Sequence, residues 1–202
     1  MNKSFYKENL RKLFTESKEV IDIGGGLRIS NKKGNWFSDD NNWMSPLLKD
    51  VEYKIMDPVD TYHPDIIGDI HHMPFPDNSI DAIVCISVLE HVEDPIRAAE
   101  DVFRVIKPGG FCFIYVPFLF YYHAEKGYYG DFWRFTEDSI RYMFKDFSDM
   151  KIKHARGAIE TWIKLSPFGR VTLIMGLARL LDRITGKKSS KQTSGFYVML
   201  TK

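Results

Sequence analysis

Four short constellations in this chain set glycines, carboxylates and a histidine where an apolar run stops. The first is Asp22-Ile23-Gly24-Gly25-Gly26, closing the apolar run Val20 to Ile23. Glycines there let a ligand approach the backbone closely; the plainer reading is a tight turn. A dinucleotide site calls for G-x-G-x-x-G opening into a helix. Arg28 and Ser30 follow instead, with no clean helix start, which disfavours pyrophosphate. The second is Asp57-Pro58, after Lys54-Ile55-Met56. A carboxylate at a strand end can accept both hydroxyls of a ribose; the alternative is an Asp-Pro turn. The third is Gly68-Asp69-Ile70, an acid able to accept from an adenine amino group beside an apolar cover for the ring. The fourth, Ser87-Val88-Leu89-Glu90-His91-Val92, brings His91 to the end of another run, although a lone histidine is more often structural.

A fifth stretch, HAEKGYYGDFWRFT over 123–136, follows the aromatic Phe118 to Tyr122. A hydroxyl acceptor benefits from a general base. His123 is the first candidate, His91 the second, and Asp131 a further catalytic candidate; Tyr122 and Arg134 are candidate acceptor contacts. In the plainer reading Asp131 and Arg134 form an i, i+3 pair that pins a loop, with Phe132, Trp133 and Phe135 as core. Cys85 and Cys112 lie inside apolar runs and read as buried, reduced thiols. They have no His or Cys neighbours at ligand spacing, so no metal site and no disulfide framework is expected.

The elements that must position these residues alternate in type. Val20–Ile23, Val51–Met56, Ile66–Asp69, Ile80–Val88 and Phe111–Val116 read as buried strands, with later strands over 150–155 and 195–201. A helix is expected over 4–18 and another after Asp94-Pro95, which can serve as N-cap and first helical residue; Lys107-Pro108-Gly109-Gly110 is expected to end it in a turn. Thr136 should cap a helix to about Phe144. An amphipathic helix is expected over 167–184, followed by a flexible basic linker at 186–194. Residues 30–46, with Trp36 and Trp43, read as a flap-like loop. Such alternation implies an α/β fold with a mostly parallel sheet covered on both faces. Ligands in such sheets sit outside the carboxyl ends of the strands, where the glycines and acids named above fall.

Taken in order, VIDIGGG (20–26), KIMD (54–57), GDIHHMPFPDNSIDAIVCISVLEHVEDP (68–95) and RVIKPGG (104–110) make the chain resemble class I S-adenosylmethionine-dependent methyltransferases of the methyltransferase type 11 group. The resemblance is close over about residues 18–117. It implies a Rossmann-like seven-stranded sheet in the order 3-2-1-4-5-7-6, with the last strand antiparallel. It implies S-adenosylmethionine as cofactor, with Asp22, Gly24, Gly25 and Gly26 at its methionine end. Asp57 and Pro58 would lie at the ribose, Asp69 and Ile70 at the adenine, and Ser87 would give backbone contacts. Two departures stand out: Arg28 occupies a position where the family usually has glycine, and the spacing from Asp22 to Asp57 is long. The run at 131–136 is similar to a stretch in members that accompany glycan enzymes, an analogy at the level of fold.

The 202 residues suit a single methyltransferase domain over 1–202. A formal net charge of +1 gives no overall bias toward nucleic acid, and no N/D-P-P-Y/F motif follows the central strand. The expected acceptor is a small molecule or glycan, methylated on oxygen. The alternative is a catalytically impaired binding or scaffold protein. With no apolar leader in Met1 to Lys18 and no run long enough for a bilayer, a cytoplasmic location is expected. The helix at 168–184 reads as a core cover with a solvated basic end; its sharper alternative is a membrane-surface face through 168–191.

Overall fold

A computed structural model describes residues 3–29 and 38–202. Its centre is one seven-stranded sheet in the order β3-β2-β1-β4-β5-β7-β6. The strands are β1 (Glu19–Ile23), β2 (Glu52–Asp57), β3 (Ile66–Ile67), β4 (Ile80–Ile86), β5 (Ile106–Pro117), β6 (Asp149–His154) and β7 (Gly195–Thr201). The first five pair in parallel, and β7 runs antiparallel to β5 and β6. This is the strand order the resemblance implied.

The central strands β1, β4, β5 and β7 are buried on both faces, and their side chains alternate between two cores. Val20, Ala82, Val84 and Phe113 meet Leu10, Leu13 and Phe14 of helix α1 (Lys3–Glu16). Ile21, Ile23, Ile83, Cys85 and Ile114 join the opposite core with Ala98, Ala99 and Val102 of α2 (Pro95–Val105) and Ile140 and Met143 of α3 (Glu137–Met143). Cys85 and Cys112 are free thiols inside this packing, and burial pushes both thiol pKa values up. The helix starts are chemically specified. Asp94 accepts from the backbone N–H groups of Ile96 and Arg97 with Pro95 in the first turn, and Thr136 forms a capping box with Ser139.

Several segments differ from the sequence reading. Residues 30–37, with Trp36, lie outside the described residues, but Asp39–Leu48 forms a 3-10 helix rather than a loop. Its Met44 is fully buried, and the Asn41 side chain donates to the Leu27 carbonyl at 2.7 Å. Lys107-Pro108-Gly109-Gly110 does not end α2 in a turn. It lies within β5 as a bulge, because Ile80 pairs with Ile106 and Ala82 already pairs with Phe111. The amphipathic segment is split: a 3-10 turn at Pro167–Arg170, capped by Ser166, precedes α5 (Thr172–Ile184). Before it lies a helix the sequence reading lacked, α4 (Ala158–Lys164).

Helix α5 also corrects the core-cover expectation. Met175 and Ala178 point inward, but Leu173, Leu177, Leu180, Leu181 and Ile184 are all exposed. The linker at 186–194 is fixed at its end, where Thr193 and Ser194 are buried. Among the described residues, no helix is long and apolar enough to cross a membrane.

Candidate active site

The carboxyl ends of β1, β2 and β4 meet at one edge of the sheet, since Ile23 pairs with Met56 on one side and Cys85 on the other. The glycine turn therefore lies between the ends of the strands that carry Asp57 and Ser87. Gly24 adopts φ +72 and donates its N–H to the Met56 carbonyl at 2.8 Å. A Cβ on Gly26 would stand 2.6 Å from the Ile86 carbonyl oxygen, so the turn can lie this close to β4 only without one. Arg28 carries φ +54, so the position that departs from the family pattern keeps the left-handed backbone glycine would supply.

Asp22 holds this turn from beneath. It has no solvent exposure, and its Oδ2 accepts from the Leu27 N–H at 3.0 Å and from the Tyr53 hydroxyl at 2.6 Å. Oδ1 is buried without a hydrogen-bond partner in the described structure. Burial pushes the carboxyl pKa up to about 7, against the lowering pull of those hydrogen bonds. Tyr53 was absent from the sequence-predicted site; its phenol is raised by burial and by the Asp22 charge.

Asp57 ends β2 half-buried, and its Oδ1 accepts from the Val59 N–H at 2.8 Å, with exposed Pro58 between them. Partial burial raises its pKa. Asp69 lies past the end of β3, its Oδ1 accepting from the His71 backbone at 2.9 Å and lying 2.7 Å from His71 Nδ1. Burial opposes ionisation there, but the His71 contacts hold the carboxyl below its ordinary range. Ile70 joins the core cluster that contains Met56 and Met73. Ser87 adopts φ +56 as the chain leaves β4, and its N–H donates to the Tyr115 carbonyl at 3.0 Å.

The 3-10 turn Leu89–His91 follows, and it carries a residue the sequence reading did not single out. The Glu90 side chain is 1% exposed, and neither carboxylate oxygen has a hydrogen-bond partner. A charged residue inside the otherwise apolar Val88-Leu89 and Val92 run was the available signal. His123 Nε2 and His91 Nε2 stand 3.7 and 3.9 Å from Glu90 Oε1, with the two imidazole centroids 4.7 Å apart. Both base candidates thus converge on one buried carboxylate. Glu90 raises the His123 pKa, with burial opposing.

Asp131 and Arg134 serve the loop rather than face outward. Both Arg134 terminal nitrogens bond the Asp131 carboxylate, at 2.6 and 2.8 Å, and they also donate to the Trp133 and Tyr121 carbonyls. That pairing drives the Asp131 pKa far below its ordinary value. The same carboxylate accepts the His123 backbone N–H at 2.8 Å. This bidentate pair matches both charges within the loop, and through the backbone bond it ties His123 to that loop. Tyr122 is 77% exposed beside an open depression of about 570 Å³ lined by residues 124–130.

Residues 50–114 match the protein family described as a methyltransferase domain, a stretch holding Asp57, Asp69, Ser87, Glu90 and His91. An uncharacterised methyltransferase of Schizosaccharomyces pombe is 44% identical over 45 residues, 22% of this chain and 16% of that protein. A ubiquinone/menaquinone biosynthesis C-methyltransferase of Vibrio cholerae is 33% identical over 107 residues, 45% of this chain and 38% of its own. The matches thus span less than half of each of these relatives. A SAM-dependent methyltransferase of Archaeoglobus fulgidus superposes with a TM-score of 0.63 at 14% identity, covering 100% of this chain and 95% of that one. Phosphoethanolamine N-methyltransferase 2 of Haemonchus contortus, solved with S-adenosyl-L-methionine, gives a TM-score of 0.51 at 12% identity, covering 98% and 52%. At these identities the likeness to solved structures is one of fold.

Proposed function

From the premise that this chain has the class I methyltransferase fold, we propose that it transfers a methyl group from S-adenosylmethionine to a hydroxyl of a small-molecule or glycan-type acceptor. The observation that carries the cofactor assignment is the cradle at the ends of β1, β2 and β4. It combines a glycine turn packed too closely on β4 to admit a Cβ, a buried Asp22 carboxylate oxygen with no hydrogen-bond partner, and a half-buried Asp57 at the next strand end. The backbone of Gly24, Gly25 and Gly26 would hold the methionine end, with the Asp22 charge beneath it. Asp57 and Pro58 would hold the ribose, Asp69 and Ile70 the adenine, and Ser87 would contribute backbone contacts. S-adenosylmethionine supplies a methyl already activated on a sulfonium, so the protein's main task is to position the acceptor and keep water out.

The acceptor reading rests on the surface around His123. Tyr121, Tyr122, Tyr128, Tyr129, Phe132 and Trp133 are all exposed large rings. Aromatic faces suit the C–H faces of sugar rings, and the phenols suit sugar hydroxyls. His123, 30% exposed on its side chain with Nε2 toward Glu90, would take the acceptor proton. His91, more enclosed, would support it. The exposed leucines of α5, with Arg183, Lys187 and Lys188 beyond them, fit a membrane surface, where a lipid-linked glycan would reside.

Calorimetric titration with S-adenosylmethionine and S-adenosylhomocysteine, with NAD as control, tests the reading. Both sulfur ligands should bind and NAD should not, and Asp57→Ala should weaken both by about 2 kcal/mol or more through the lost charge-assisted hydrogen bonds. Absence of binding at millimolar ligand would sink the proposal.

A further inference from the structure

We propose that Glu90, His91 and His123 form a binding site for one divalent transition-metal cation. One donor atom from each lies within 4.8 Å of the others. The imidazole-to-carboxylate distances of 3.7 and 3.9 Å are too long for hydrogen bonds. They match two ligands flanking a common ion, since donors each about 2.0–2.2 Å from a tetrahedral cation lie roughly 3.5 Å apart.

Three further features point to a cation. The first is Glu90 itself, whose carboxylate is 1% exposed with neither oxygen in a hydrogen bond, the nearest side-chain nitrogens being the two imidazoles at 3.7 and 3.9 Å. A carboxylate so placed is costly until a positive charge joins it. The second is the orientation of both rings. His91 Nδ1 lies 2.6 Å from the Gly130 carbonyl and His123 Nδ1 lies 3.0 Å from the Tyr121 carbonyl. A carbonyl accepts only, so each neutral ring carries its proton on Nδ1 and directs the Nε2 lone pair toward Glu90, as metal-bound histidines do. The third is the tethering. The Phe132 and Trp133 N–H groups donate to the Glu90 carbonyl, and the Arg134–Asp131 pair fixes the His123 backbone. An entire loop is thus bound to the turn that carries the carboxylate, and the two histidines face each other in consequence.

Two imidazoles and one carboxylate select zinc, cobalt, manganese or iron over magnesium and calcium. Three protein ligands leave a coordination position open, as catalytic rather than structural sites do. On the methyltransferase reading, on which this part alone rests, the open position would take the acceptor hydroxyl. A cation there lowers the pKa of an acceptor hydroxyl. The O–H bond breaks, its electron pair stays on the oxygen and the proton leaves to water, while both histidines stay neutral as ligands in place of a free base.

The test uses untagged, chelator-treated full-length protein, titrated with Zn²⁺ by calorimetry and with Co²⁺ by visible absorption. One equivalent of each should bind, with d–d bands for Co²⁺. Glu90→Gln and His123→Ala should weaken binding roughly tenfold or more. His154→Ala, which removes a histidine on β6, should leave it unchanged. Because Glu90→Gln keeps shape and removes the buried charge, the metal-free variant should melt no lower than the native chain. Zn²⁺ should raise the melting temperature of the native chain and leave that of the variant unmoved. Absence of saturable Zn²⁺ and Co²⁺ binding, or binding equal in Glu90→Gln and His123→Ala, overturns the site. The latter results would leave Glu90 as the partner of a protonated His123. S-adenosylhomocysteine is titrated separately: metal binding without it removes the methyltransferase reading and leaves the site standing, and the reverse removes only the site.

Discussion

Asp22 is both the support of the glycine turn and a titrating group. Its folded pKa of about 7 lies above the ordinary 3.8, so between those values the folded chain keeps a proton the unfolded chain has released. Stability is therefore highest below the unfolded pKa on account of this group, and falls as pH rises toward the folded one. On the proposed function, cofactor binding should have the opposite slope. The ammonium and sulfonium of S-adenosylmethionine favour ionised Asp22, so affinity should climb between about pH 6 and 8 with proton release. Calorimetry in buffers of different ionisation enthalpy measures that release, and Asp22→Asn should flatten the profile. A flat native profile would mean Asp22 is already charged before the ligand arrives. The carboxylate was legible in the sequence as an acid closing an apolar run. Its partner Tyr53 was not, because their hydrogen bond joins residues 31 apart that only β1–β2 pairing brings together. Glu90 escaped for a related reason: its lack of a hydrogen-bond partner is a property of the packed loop and turn.

At the scale of elements, legibility followed how local the cause is. The Asp94-Pro95 and Thr136 starts were readable because a cap acts within three residues of itself. The bulge at Lys107–Gly110 was not, because Lys-Pro-Gly-Gly spells a turn in isolation; only β4 beside it, with Phe111 opposite Ala82, draws the segment into β5. Helix α4 was missed for want of a strong cap: Gly157 precedes it without a side-chain hydrogen bond. The distant Asp182 supplies the acceptors instead, taking the N–H groups of Ile159 and Glu160 at 2.9 Å each. The glycine turn was legible in place and in need. Gly26→Ala should destabilise the fold by about 1–3 kcal/mol, since a methyl must displace the Ile86 carbonyl. It should also weaken S-adenosylmethionine binding. Gly109→Ala, at φ +78 with open space around it, should cost about 1–2 kcal/mol of backbone strain and leave cofactor affinity intact. Urea unfolding and calorimetry on the two variants separate local strain from damage to the cradle; equal loss of cofactor affinity in both would remove the special role of Gly26.

At the scale of the molecule, the sheet and its two cores are complete without the outer face of α5. That face holds Leu173, Leu177, Leu180, Leu181 and Ile184 in the open, with Trp162 of α4 and Phe168 also exposed. The inner side of the same helix is occupied by Met175, Ala178 and Asp182, so the chain cannot bury both stripes at once. An apolar stripe left outside a finished core costs solubility unless something covers it. The neighbouring cations argue for an anionic lipid surface. Arg183, Lys187, Lys188 and Lys191 lie exposed just beyond the leucines, and each cation near such a surface contributes about 1 kcal/mol. Co-sedimentation with vesicles containing anionic lipid should therefore capture the protein at low salt and release part of it as salt rises. Zwitterionic vesicles should bind it less. Leu173→Glu with Leu177→Glu should abolish capture without lowering the melting temperature, because neither side chain belongs to a core. Failure to sediment at low salt would detach α5 from lipid, and with it the argument that the acceptor is membrane-linked. The aromatic surface around His123 would then stand as a site for a freely diffusing acceptor.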